Sequence, residues 1–157
     1  MPRKYDSPAR FLRPDPKFDS KLVSKFINSL MYSGKKNAAR KLFYECMEII
    51  AKQASDVDPI EVFNQAINNI KPVVEVRSKR VGGATYQVPI EVKRARQQNP
   101  AFRWLLQITR GRKGRPMADR LADELLQAYN REGATITKRE NTHKMADANK
   151  MNAHFAW

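Results

Sequence analysis

The chain has 157 residues, 41% of them hydrophobic, and one cysteine, Cys46. That is enough for a single domain with a buried core, and it excludes an intrachain disulfide. Thirty Lys and Arg stand against 16 Asp and Glu, a net charge of +14 with a pI near 10.2, which points to a polyanionic partner. No apolar run is long enough to cross a membrane, and the amino-terminal MPRKYDSPAR lacks the apolar centre of a signal peptide, so a cytosol-like space is expected.

The charge is blocky. Residues 1–41 carry 11 basic and 3 acidic side chains, residues 42–70 carry 1 and 5, residues 71–120 carry 13 and 3, and residues 121–157 carry 5 of each. The two positive blocks therefore predict a binding face. In chain order, residues 1–18 hold four prolines and no steady period, and read as a basic extended arm whose order depends on what it touches. From Ser20, the residues Leu22, Val23, Phe26, Ile27, Leu30 and Met31 recur at helical spacing, and Gly34 is expected to stop that helix. A second stripe joins Ala38, Ala39, Leu42, Phe43, Cys46, Met47, Ile49 and Ile50, where Cys46 is a small core hydrophobe. Asp58, Pro59 and Glu61 supply an N-cap, a first-turn proline and a capping-box glutamate for a third helix buried through Phe63, Ala66, Ile67 and Ile70.

After Pro72 the period drops to two. Val74 and Val76, then Tyr86, Val88, Ile90 and Val92, alternate with polar residues, and predict a β-hairpin over residues 72–92 joined through SKRVGG. Helix resumes around Pro100 with Trp104, Leu105 and Ile108, is interrupted by GRKG at 111–114, and resumes after Pro116 through Leu121, Ala122, Leu125 and Leu126. Thr137 and Glu140 form a second capping box, which opens an outer carboxy-terminal helix and tail over residues 137–157. The expected fold is mainly α: a single domain, a bundle of helices with an inserted, protruding two-stranded ribbon.

Little in the chain suits catalysis. His143 and His154 are the only histidines, with no Cys or carboxylate at ligand spacing, and no glycine fingerprint follows a strand. No enzyme activity, cofactor or metal is expected. Arg77, Lys79 and Arg80 before Gly82 and Gly83, and Lys93, Arg94 and Arg96 after the second strand, repel one another unless an anion offsets them. The glycines serve an ordinary turn as well as one pressed against a phosphate chain. GRKG resembles the GxxG loop of the KH fold, yet no strand follows it, and Arg110, Arg112, Lys113 and Arg115 read as phosphate contacts on a helix connection. The tail His154 to Trp157 either stacks on bases or folds back on helices.

The motifs PDPKF at 14–18, GKKNAARKLFYEC at 34–46, KPVVEVRSKRVGGATYQVPIEV at 71–92, RPMADRLADELL at 115–126 and KRENTHKMADANKMNAHFAW at 138–157 resemble, from end to end, the bacterial-type small-subunit ribosomal protein seven family. The resemblance implies six helices with a β-ribbon arm, bound as a monomer to the 3′ major domain of small-subunit ribosomal RNA. It implies nucleation of head assembly, a place near exit-site transfer RNA and the messenger RNA path, neighbouring small-subunit proteins, and a cytoplasmic, ribosomal location. Carried over by residue, ribosomal RNA would meet Arg3, Lys4, Arg10, Arg13, Lys35, Lys36, the ribbon at Arg77, Lys79, Arg80, Gly82 and Gly83, and Lys93, Arg94 and Arg96. Lys79, Arg80, Val81, Gly82, Lys144 and Trp157 would lie toward transfer and messenger RNA. Two departures stand out: Tyr5 and Asp6 dilute the family's amino-terminal arginine run, and Gln97-Gln98-Asn99-Pro100 predicts a break or a fresh N-cap where the family is continuous helix. A rival class, a DNA-architectural protein with a β-arm, would need a dimer seam that the stripes do not leave over.

Overall fold

Ser20 is a favoured N-cap residue, and its hydroxyl accepts from the Val23 N–H at 3.5 Å. The helix it opens, α1, runs Lys21–Leu30. The computed structural model describes residues 11–155. After α1 come α2 (Lys36–Gln53), α3 (Pro59–Ile70), the strands β1 (Val74–Val81) and β2 (Ala84–Glu91), α4 (Arg94–Gly111), α5 (Met117–Tyr129), α6 (Ala134–Ala148) and a 3-10 segment, η1 (Lys150–Phe155). The fold is mainly α with one inserted antiparallel hairpin, as the periodicity requires. The chain divides into two compact units, Met1–Glu45 and Cys46–Trp157.

In the first unit the α1 stripe is buried at Val23, Phe26, Ile27 and Leu30, and the Phe43 ring lies 5.7 Å from Phe26 and 6.1 Å, edge-on, from Phe18. Asp15 of the PDPKF motif is 2% exposed. Its carboxylate accepts from Tyr44 Oη at 2.8 Å and the Lys17 N–H at 3.1 Å, and pairs with Arg40 at 3.8 Å. A buried carboxylate held this way pins its segment to α2, so the end of the predicted arm is folded around Asp15 rather than waiting for a partner. Burial, then the bond to Asp15, raises the Tyr44 pKa above its ordinary 10.0. α1 also stops earlier than Gly34: Met31 turns extended at Leu30, and Ser33 and Gly34, at φ +50° and +76°, make the turn into α2.

In the second unit α3 packs on α5 through Val62, Phe63, Ala66 and Ile67 against Leu121, Ala122 and Leu125, all fully buried. Asp58 caps α3 by accepting from the Ile60 N–H at 3.1 Å, with Pro59 in the first turn. Burial drives the Cys46 thiol far above its ordinary value, so it is an inert core group, as its surroundings in the sequence predict.

Two expectations fail here. The break predicted at Gln97 to Pro100 is absent, and α4 runs straight through. Pro100 removes one N–H from the helix ladder, at a cost of about 3 kcal/mol in an isolated helix. Its ring is buried beside Ala101 and Phe102, and that burial offsets the loss. The last helix also starts at Ala134, one turn before Thr137, whose hydroxyl instead donates to the Gly133 carbonyl at 3.0 Å from inside the helix. Its cap comes from another element. Glu124 of α5, fully buried, accepts from the Thr135 N–H at 2.8 Å and the Thr135 hydroxyl at 2.6 Å, and takes a charged bond from Arg112. Gly133 sits at φ +92°, and a Cβ there would lie 3.0 Å from Gln127 Cβ, so only glycine fits the approach.

Candidate nucleic-acid interface

Helix ends decide much of the electrostatics. A helix N-terminus carries partial positive charge and unpaired N–H groups, which acidic side chains ordinarily satisfy. α3 follows this rule with Asp58 and Glu61, whereas α1, α2 and α4 have no acidic residue in the first turn. Lys21, Lys35, Lys36, Lys93, Arg94 and Arg96 stand there instead, all exposed. Cations stacked on a helix dipole repel it, and an external phosphate relieves both.

In the first unit Arg13, Lys36 and Arg40 line one groove of about 420 Å³ along with Phe11, Pro14 and Asn28. Lys35, the adjacent residue, lines a separate groove instead. Arg3, Lys4 and Arg10 lie outside the described residues, as does Trp157.

The hairpin sorts its own charges. Gly82 and Gly83, at φ +56° and +88°, form the whole connection between Val81 and Ala84, so Ser78, Lys79 and Arg80 belong to β1 rather than to the loop. Alternation puts Glu75, Arg77, Lys79 and Val81 on one face with the buried Val88, and Arg80 on the other with its partner Thr85. On the first face the cations are engaged: Glu75 holds Arg77 at 2.6 Å and Arg96 at 3.4 Å, and Lys79 Nζ donates to the Phe155 carbonyl at 2.7 Å. Tyr86 stacks on Phe155 with centroids 4.9 Å apart, and Asn152 Nδ2 donates to the Gln87 carbonyl at 3.0 Å. The tail therefore folds back on the protein at Phe155. Arg80 and the glycines remain outward.

The connection between α4 and α5 is different again. Arg112 is committed to Glu124, Arg115 pairs with Asp123 at 2.7 Å, and Lys113 and Arg110 are exposed. The Arg115 pair is itself exposed, and such pairs are worth ~0 to 1 kcal/mol, so Arg115 can exchange carboxylate for phosphate. On α6, Lys144 is exposed, while His143 is half-buried and its Nε2 accepts from the Val73 N–H at 3.2 Å. His143 thus pins the base of the hairpin, a role its sequence neighbours do not reveal. Burial, then Arg139, lowers its pKa below the ordinary 6.5. A lowered histidine contributes stability above pH 6.5 that is lost as pH falls through its folded value. Amide exchange at Val73, corrected for intrinsic rate, should accordingly quicken on acidification from pH ~7 to ~5 more than in His143→Gln.

Sequence reasoning missed Asp15, Glu124 and Arg40, since their partners lie 11 to 29 residues away. It also passed over Tyr32, 77% exposed beside Lys35. Among the described residues no three His, Cys, Asp or Glu side chains gather as a metal set, and no helix is long and apolar enough to cross a membrane.

Comparison with known proteins gives this surface its setting. Residues 2–150 match the family described as Ribosomal protein S7p/S5e. The chain is similar to Small ribosomal subunit protein uS7 of Rhodopirellula baltica, 60% identical over 144 residues covering 91% of this chain and 92% of the relative. It is 55% and 53% identical over 157 residues, the full length of both chains, to the proteins of that name from Thermodesulfovibrio yellowstonii and Pelagibacter ubique. With cations in place of acids at three helix ends and this likeness along its whole length, the chain belongs to the ribosomal protein S7p/S5e family, structural components of a ribonucleoprotein rather than enzymes.

Proposed function

We propose that this chain is a structural protein of the small ribosomal subunit, in the cytoplasm, that binds the 3′ major domain of the subunit's ribosomal RNA as a monomer and nucleates assembly of the head. The hairpin and α6, through Arg80, Val81, Gly82 and Lys144, face exit-site transfer RNA and the messenger RNA path, beside neighbouring small-subunit proteins. One observation carries the reading: Lys35, Lys36, Lys93 and Arg94 occupy helix N-termini with no acidic residue in the first turn. Their mutual repulsion is relieved by phosphates, and phosphate contacts set register and affinity.

The test compares binding of the purified chain to a 3′ major domain transcript and to duplex DNA of equal length at near-physiological salt. The transcript should bind at least ~10-fold more tightly, and equal binding would reduce the basic surface to a generic polyanion face. Elution of the free chain as a dimer would favour a two-armed DNA binder instead.

A further inference from the structure

We propose that the turn between α1 and α2 holds a subsite for one unstacked nucleobase of single-stranded RNA, laid against Tyr32 with an adjoining phosphate on Lys35. This rests on the RNA-binding reading above and deepens it. Three features meet at the turn. Tyr32 presents an aromatic side chain that is 77% exposed, one of the few large apolar groups outside the core. A groove of about 230 Å³ beside it is walled by Leu30, Ala38, Ala39 and Leu42, with Ser33 and Lys35 at its edge. That is below the ~300 to 1,000 Å³ of sites for drug-sized ligands and suits a single flat ring system.

The backbone fixes this arrangement. Ser33 and Gly34 both adopt positive φ, the Lys35 N–H donates to the Tyr32 carbonyl at 3.0 Å, and the chain enters α2 directly. The aromatic ring and the lysine are thus held three residues apart across one tight turn, at the N-terminus of an 18-residue helix with no acid in its first turn. An apolar slot alone would suit a protein side chain equally. The cation and the helix end at its rim favour an occupant that is flat, apolar on its faces and joined to a negative backbone, and a nucleotide is all of these. Arg80 and the hairpin glycines offer phosphate contacts with no aromatic strand residue on the same face, whereas the turn sets an exposed aromatic ring beside a cation.

The test uses the full chain and the 3′ major domain transcript, with and without 5-bromouridine. Irradiation should join a nucleotide to the peptide containing Tyr32. Tyr32→Phe should bind as the parent does, and Tyr32→Ala should bind about 5- to 150-fold more weakly with an unchanged salt slope, because no phosphate contact is lost. Melting of each variant confirms folding. Parent-like binding by Tyr32→Ala would overturn the subsite and leave the RNA interface standing, whereas failure of the parent chain to bind the transcript would overturn both. Normal transcript binding by Tyr32→Ala with poor incorporation into particles reconstituted with other small-subunit proteins would assign the groove to a protein and also overturn the subsite.

Discussion

Replacing Glu124 with alanine should lower stability by about 3 to 5 kcal/mol. The carboxylate is fully buried and serves both sides of a junction: one oxygen takes the Thr135 N–H and hydroxyl, and the other takes the Arg112 guanidinium. Alanine removes the only side-chain cap described at the start of α6 and leaves a partly buried guanidinium without its carboxylate. Melting should fall by roughly 6 to 20 °C for a chain of this size. Glu124→Gln keeps an oxygen for Thr135 but loses the charge, so it should fall between parent and Glu124→Ala. A Glu124→Ala protein that melts like the parent would show that α6 needs no cap from α5.

Affinity for the ribosomal transcript should fall about 10³- to 10⁴-fold as salt rises from ~50 to ~200 mM. Arg13, Lys35, Lys36, Arg80, Lys93, Arg94 and Lys113 are all exposed. If each meets one phosphate, the logarithmic slope is about −5 to −6, at ~0.7 to 0.9 per contact. Arg112 should add little, being held by Glu124, and Arg112→Ala should cost stability with a slope close to the parent's. A slope shallower than about −2 would mean that most of these cations face solvent or protein in the complex.

How far the sequence could be read depended on where each residue's partner lay. Period 3.6 placed α1 to α3 because Val23, Phe26 and Ile27, or Phe63, Ala66 and Ile67, repeat within a turn or two. Period two located the hairpin, and paired glycines located its turn. The failures were all non-local. Pro100 breaks a helix in isolation, yet the ring is buried in the second unit's core and α4 continues. Thr137 and Glu140 match a capping box, but Glu124 ten residues upstream of Ala134 starts the helix earlier. For the interface, composition named the cations and could not say which ones the protein keeps for itself. Arg77, Lys79 and Arg112 are held by Glu75, Phe155 and Glu124, and only the strand register and the packing reveal it. Arg3, Lys4, Arg10 and Trp157, expected to meet RNA, lie outside the described residues.

The 3-10 segment along β2 matters for the chain before it joins any assembly. A two-stranded sheet has two open edges, and a free edge is a template on which another copy can add a strand. β2 meets this hazard with Pro89, which has no N–H to offer, and with Asn152, which occupies the Gln87 carbonyl. The stacked Phe155 and Tyr86 hold that shield in place. The 3-10 segment thus covers part of the β2 edge on which a second copy could otherwise add a strand.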